Sequence, residues 1–264
     1  MNKMEKIIYQ SIFGKGKIHL VFLHGWGLHS IVWDKIIPIL QPYFTLHIID
    51  LPGFGKNINC PIMNFDQLSS YLLKIVKFKS IWLGWSMSGL IIHHLGLHYP
   101  HKIHAIIYIT SSPFFIQKKK WLGIPIYKLK SIKKNILNNY KKFLTQFILV
   151  HVLNINKVNI HNIKIKKFFL KKYPNPKKKA IEIGYQWLTK IDYRSKKLSK
   201  NIPILQIYGE LDDLVPKQIY RKIKYSRINY NSVIINGAKH APFLSHPNTF
   251  CNILYKFIKN IYLI

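Results

Sequence analysis

A serine hydroxyl becomes a nucleophile at neutral pH only when a neutral imidazole takes its proton and a carboxylate fixes that imidazole's tautomer. The sequence offers such groups in the order Ser86, Asp212, His240, each just after a strand-like apolar run. The first lies in Ser80-Ile81-Trp82-Leu83-Gly84-Trp85-Ser86-Met87-Ser88-Gly89, where the apolar run stops at Gly84 and a helical pattern begins after Ser86. A serine on a sharp strand-to-helix turn reads this way, its Oγ pushed out over the sheet edge. Such a turn needs small flanking residues. Gly84 supplies one, and Ser88 stands where the G-x-S-x-G pattern asks for glycine, with Gly89 one step later. Ser88 reads as a packing residue and not as a rival nucleophile. Asp213 competes with Asp212 for the acid. The chemistry is acyl transfer through serine, which requires no metal and no organic cofactor.

Something must carry these groups to one place. Buried-strand patterns run over Lys17–Leu23, Phe44–Ile49, Ile103–Thr110, Pro203–Tyr208 and Ser232–Ile235, besides the run before Ser86. Helical patterns lie between them: Asn64–Val76, the segment from Ser86 to Tyr99, and Pro216–Tyr225, with a final helix over Pro247–Ile261. A further short helix is expected from Trp33, kinked at Pro38. Alternation of this kind argues an α/β fold with a mostly parallel sheet and helices on both faces. Ser86, Asp212 and His240 then all fall at the carboxyl ends of strands, where open α/β sheets build their sites. His24-Gly25-Trp26-Gly27 follows the first strand, and its glycines let backbone N–H groups turn toward a ligand. His24 and Asp50 read as structural residues of their turns. His93, His94 and His98 share a helix without a carboxylate or cysteine among them and are expected to face solvent. Between residues 113 and 188 the alternation stops and Lys-rich helical pieces take over, at Ile132–Leu149 and Ile163–Tyr173. We read 1–112 and 189–264 as the two parts of one core, and 113–188 as a helical lid inserted between them.

The 264 residues carry a formal net charge of +32, with 41 Lys and Arg against 9 Asp and Glu. Nucleic acid, an acidic membrane or an acidic protein would each suit that balance. Only Arg194, Arg221 and Arg227 are arginines, however, and Lys, Ile, Asn and Tyr are abundant together, as their A/T-rich codons would make them in a biased genome. Compositional drift is therefore the main reading, and neither a nucleic-acid nor a membrane partner is expected. No apolar run has the roughly 18 residues of a spanning helix. The start of the chain shows no signal-peptide pattern, and Cys60 and Cys251 read as thiols in a reducing compartment. A cytoplasmic monomer is the expectation.

The segments Leu23-His24-Gly25-Trp26-Gly27-Leu28, Asp50-Leu51-Pro52-Gly53-Phe54-Gly55, Leu83-Gly84-Trp85-Ser86, Tyr208-Gly209 with Leu211-Asp212, and His240-Ala241-Pro242-Phe243 with Ser245-His246-Pro247 resemble the pimeloyl-[acyl-carrier protein] methyl ester esterases of biotin synthesis. These are lid-bearing α/β-hydrolases. The resemblance covers both core parts and is weak through the lid. It implies Ser86 as nucleophile, Asp212 in preference to Asp213 as acid, and His240 as base. The backbone N–H groups of Trp26 and Met87 would form the oxyanion hole, with both residues beside the substrate. In the lid it implies Phe143, Leu144, Thr145, Gln146 and Phe147 as an acyl-chain wall. It also implies an acyl-carrier protein as partner, gripped by lid bases that are arginines in the family and lysines here, such as Lys141 and Lys142. Ser88 departs from the family's glycine. Outside that family, the triad also suits a small-ester carboxylesterase or a C–C bond hydrolase. A basic binding protein with a decayed site is the non-enzyme alternative.

Overall fold

The apolar runs pair into one seven-stranded sheet in the order β1-β3-β2-β4-β5-β6-β7. Its strands are β1 (Gln10–Phe13), β2 (His19–Leu23), β3 (Thr45–Ile49), β4 (Ser80–Trp85), β5 (Ile103–Ile109), β6 (Ile204–Gly209) and β7 (Tyr230–Ile235). All neighbours are parallel except β1, which runs antiparallel to β3. This is a computed structural model, and it describes residues 8–152, 174–223 and 230–262. The lid piece expected at 163–173 and the end of the helix expected over 216–225 lie outside the described residues.

Parallel strands covered on both faces must be apolar on both faces. Accordingly β3, β4 and β6 are buried at every position. The edge strand β1 shows the opposite character. It is four residues long, opens on Gln10 and Ser11, and is only partly buried, so it carries none of the apolar signal that marks the others. The chain order reverses at β2, which has β3 on one side and β4 on the other. Residues leaving β2 and β4 therefore meet at the crevice of that switch point.

Helix α1 (Ile37–Leu40) carries Pro38 in its first turn after a 3-10 turn at Ser30–Trp33. The proline thus begins a helix instead of kinking one, in keeping with its pre-set φ and missing N–H. Helix α2 (Phe65–Ile75) starts at a capping box. The Asn64 side chain accepts the Gln67 N–H at 2.9 Å and the Gln67 side chain accepts the Asn64 N–H at 3.1 Å, which satisfies two amides that would otherwise be orphaned.

Helix α3 (Ser88–His98) corrects the histidine expectation. His98 is exposed, but His93 and His94 are buried. Their partners come from distant sequence. His93 Nδ1 lies 2.7 Å from the Tyr108 hydroxyl and its Nε2 3.0 Å from the Lys196 carbonyl. His94 meets the Tyr193 hydroxyl at 3.1 Å and Asp66 on α2 at 3.0 Å. A helix packed between the sheet and its neighbours can hold imidazoles inside once each ring nitrogen has a partner.

The described lid comprises α4 (Ile126–Asn138), α5 (Tyr140–Phe147), a π turn at Ile148–Val152 and α6 (Lys178–Lys190). Helix α4 buries Leu129 and Ile136 and leaves lysines outside. Helix α6 runs two residues past the expected lid boundary and lands on the core at its first turn, where the Lys177 N–H donates to the Gly53 carbonyl at 2.9 Å. A Cβ on Gly53, which has φ 83°, would stand 2.6 Å from the Ala180 Cβ. Beyond the lid come α7 (Ile219–Lys222), α8 (Pro242–Ser245) and α9 (Pro247–Tyr262). Among the described residues no helix is long and apolar enough to cross a membrane. Cys60 and Cys251 are both buried and neither forms a disulfide.

On β3, His47 is buried with Nδ1 2.9 Å from Gln10 Oε1 and Nε2 2.9 Å from His19 Nδ1. Burial, helped by the neighbouring His19, pushes its pKa down from 6.5 to about 4. The unfolded chain then binds the proton more readily, so this contribution is fully present above pH 6.5 and is lost as the pH falls through 4. The melting temperature is expected to drop over that interval, and to drop less in His47→Gln. Equal acid sensitivity of the two proteins in a thermal melt would remove His47 as the cause.

Candidate active site

The turn after β4 holds Ser86 at φ 53°, a left-handed conformation unusual for a residue with a side chain. Neighbours hold it there. The Ser86 N–H donates to the Ile109 carbonyl at 2.9 Å, and the Ser86 carbonyl accepts the Ser111 hydroxyl at 2.7 Å. A Cβ at Gly84 would come within 2.5 Å of the Ser88 carbonyl oxygen, and one at Gly89 within 2.0 Å of Ser111 Oγ. Glycine is thus required at 84 and at 89. Position 88 tolerates serine, because the Ser88 hydroxyl reaches and donates to the His24 carbonyl. His24 in turn accepts the Leu51 N–H on Nε2 at 2.9 Å and donates from Nδ1 to the Gly25 carbonyl at 2.8 Å. Burial lowers its pKa, against the pull of Asp50. Asp50 accepts the Ser30 and Lys56 N–H groups at 2.6 and 2.8 Å. Both residues serve their turns.

Facing Ser86, His240 brings Nε2 to 3.0 Å from Ser86 Oγ and Nδ1 to 2.8 Å from Asp212 Oδ2. Asp212 Oδ1 accepts the Leu214 and Val215 N–H groups at 2.9 and 3.0 Å, so the carboxylate is oriented before it meets the imidazole. The backbone of His240 is gripped as well. Its carbonyl accepts the Trp85 indole N–H at 2.8 Å and the Thr110 hydroxyl at 2.7 Å, and its N–H donates to the His151 carbonyl at 2.9 Å. Asp213 points elsewhere, pairing with His151 Nδ1 at 2.8 Å and Lys128 Nζ at 3.1 Å. Burial alone would raise the Asp213 pKa, but these two partners hold it well below the usual carboxylate range. Ser86, His240 and Asp212 form a continuous hydrogen-bonded line from a hydroxyl to a buried carboxylate, the arrangement that lets an imidazole act as general base.

Among the described residues, no protein acceptor faces the backbone N–H of Trp26 or of Met87. The two leave neighbouring strands, Trp26 after β2 and Met87 directly after Ser86. Two unpaired amides beside a nucleophile suit a developing oxyanion. The cavity in front of Ser86 is walled by Trp26, Leu28, Trp85, Phe115, Ile124 and Leu129, together with Ile132, Phe143, Phe147, Leu188, Leu214 and His240. Of the expected lid wall, Phe143 and Phe147 line this cavity, whereas Leu144, Thr145 and Gln146 do not. Leu144 is buried on another side and Gln146 is exposed. The reason is helical spacing: residues four apart share a face, and their intermediates turn away. Met87 likewise is not part of this wall and lines a separate cavity together with Leu51, Phe54, Ala180 and Trp187. The wall residues from α4, such as Leu129 and Ile132, went unforeseen, although their spacing of three marks one helix face.

A family profile described as alpha/beta hydrolase fold matches residues 18–247. The chain belongs to the α/β-hydrolase family. Among curated relatives, this hydrolase is 39% identical over 257 residues to "Pimeloyl-[acyl-carrier protein] methyl ester esterase" of Wigglesworthia glossinidia brevipalpis, covering 96% of this chain and 98% of the relative. It is 34% identical over 254 residues to the protein of the same name from Proteus mirabilis, covering 96% and 97%. Among solved structures it superposes on a bromoperoxidase from Bacillus anthracis with a TM-score of 0.83 at 22% identity, covering 96% and 95%. An esterase from Exiguobacterium antarcticum gives the same TM-score at 17% identity. These two share its fold.

The two adjacent carboxylates give a sharp test. With p-nitrophenyl butyrate as substrate, Asp212→Asn is expected to lower kcat by about 10⁴, since the imidazole loses the group that fixes its tautomer. Asp213→Asn should stay within about tenfold of the wild type, because its partner is not the imidazole beside Ser86. Equal losses from both would overturn the assignment of the acid.

Proposed function

We propose that this α/β-hydrolase cleaves the methyl ester of pimeloyl-[acyl-carrier protein], yielding pimeloyl-[acyl-carrier protein] and methanol, the step that its resemblance assigns to biotin synthesis. The observation that carries the reaction class is the unbroken Ser86–His240–Asp212 line facing an apolar cavity. The relatives' shared name supports the choice of ester.

In this reading Ser86 Oγ attacks the ester carbonyl while His240 Nε2 takes its proton. The Trp26 and Met87 amides receive the oxyanion. His240 then passes the proton to the departing methoxide, leaving an acyl-serine and methanol. Water, deprotonated by the same imidazole, attacks the acyl-serine, and collapse returns the proton to Ser86 and frees the carboxylate. Each oxyanion donor is worth about 10²–10³ in rate. Phe143 and Phe147 would lie along the methylene chain, and an apolar wall suits an uncharged ester better than a carboxylate. Lys141 and Lys142 are exposed on α5, where they can meet an acidic carrier protein and speed encounter. Action as a cytoplasmic monomer belongs to the same proposal.

The test compares pimeloyl-carrier methyl ester with p-nitrophenyl butyrate, using Ser86→Ala as control. Both esters should turn over, the carrier ester far faster, and neither with the variant. Raising salt from about 50 to 500 mM should slow the carrier ester much more than the small one, because only the former relies on charge-steered encounter. Turnover of the small ester alone would keep the triad and withdraw the carrier substrate.

A further inference from the structure

Lid helix α6 crosses the oxyanion-hole residues at a glycine. Gly184 is buried, and a Cβ built on it would stand 2.4 Å from Trp26 Cδ1, 2.6 Å from Trp26 Nε1 and 3.1 Å from Met87 Sδ. The two side chains that press on this one position belong to the two residues whose amides are unpaired beside Ser86. One turn earlier on the same helix, the Ile181 carbonyl accepts the Trp26 indole N–H at 3.1 Å. The Tyr185 ring lies 6.3 Å from the Trp26 ring. The Trp26 side chain is therefore fixed by the lid and not by the strand that its backbone leaves.

A mid-helix glycine is destabilising by about 1 kcal/mol relative to alanine. Here the missing Cβ makes room for an indole and a thioether that no other small residue would admit. Gly27, next to Trp26, has φ 75° and meets lid residue Ile136, whose Cδ1 would lie 3.0 Å from a Cβ there. The turn bearing the Trp26 amide is thus held by α4 on one side and by α6 on the other.

We propose that Gly184 is a positioning residue of the oxyanion hole: the seated lid helix sets the Trp26 and Met87 amides through direct contact with both side chains, so the hole takes its working geometry only when α6 is docked. This rests on the reading of Ser86 as the nucleophile. It does not depend on the carrier substrate, because it is tested with p-nitrophenyl butyrate.

In Gly184→Ala the added methyl must displace Trp26 or Met87. A displacement of this order at donors of a developing charge is expected to lower kcat about ten- to a hundredfold. KM should change less than about threefold, since neither amide binds the ground-state ester strongly. Affinity for a trifluoromethyl ketone, which forms a tetrahedral adduct on serine, should fall by the same factor as kcat. Trp26→Phe keeps the amide and loses the tether to Ile181, and it too should lower kcat with KM held. In the double variant the smaller ring makes room for the new methyl, so its kcat should exceed that of Gly184→Ala. A rise in KM at unchanged kcat would make Gly184 a wall of the acyl pocket and overturn the proposal. Unchanged ketone affinity would do the same. Should Gly184→Ala fail to fold, Trp26→Phe decides alone: full kcat in that variant overturns the proposal.

Discussion

A serine held in the left-handed region at the end of a buried strand is the constraint from which the rest of the site follows. The conformation costs on the order of 1–3 kcal/mol for a residue with a side chain, and it persists because three neighbours leave no alternative. Gly84 admits the Ser88 carbonyl, Gly89 admits Ser111, and the Ser86 amide and carbonyl are both hydrogen-bonded to the β5 end. The same turn sends Met87 to open α3 and leaves its amide without a backbone acceptor among the described residues. The proposed nucleophile and one of the proposed oxyanion donors thus share a single backbone reversal.

The imidazole opposite is held in a different way. His240 sits on a loop, and loops are ordinarily the less stable part of a fold. Here its carbonyl accepts from residues at the ends of β4 and β5, its N–H donates to the lid, and its two ring nitrogens meet Asp212 and Ser86. A loop so tied behaves as part of the sheet. The contribution from the lid is the Ile148–Val152 turn, whose His151 carbonyl takes the His240 N–H and whose side chain engages Asp213. Adjacent carboxylates therefore divide the labour: one orients the imidazole, and its neighbour anchors the segment that covers it.

Much of this was legible in the residues. Buried parallel strands must be continuously apolar, so β2 through β6 announce themselves, and the three chemical groups stand directly after such runs. What was illegible falls into two kinds. The edge strand β1 is short and half-exposed, so burial never imposed a pattern on it. The buried His93 and His94 have partners about 100 residues away in sequence, the Lys196 carbonyl and the Tyr193 hydroxyl, and no local rule can find such partners. The lid wall was half legible. Phe143 and Phe147 share a helix face, but a run of five consecutive residues cannot all face one cavity. The helix over 178–190 was not marked by the sequence pattern, and only the arrival of Trp26 and Met87 from the core gives its Gly184 a reason.

The two ends of the lid are joined at its root. The Tyr193 N–H donates to the Pro113 carbonyl at 2.9 Å, and the Arg194 guanidinium lies 4.4 Å from the centre of the Phe114 ring. An insertion whose entry and exit are clasped together is, to the sheet, a surface loop of fixed span, and the entropy of closing such a loop grows only slowly with its length. Residues between the clasp and the cavity wall can then change in length and charge with little cost to the core. The few positions that touch Trp26, Met87 and the triad loop, by contrast, stay under geometric restraint. The molecule thus carries two tolerances on one chain, a loose one on the outside of a clasped insertion and a tight one where that insertion meets the sheet.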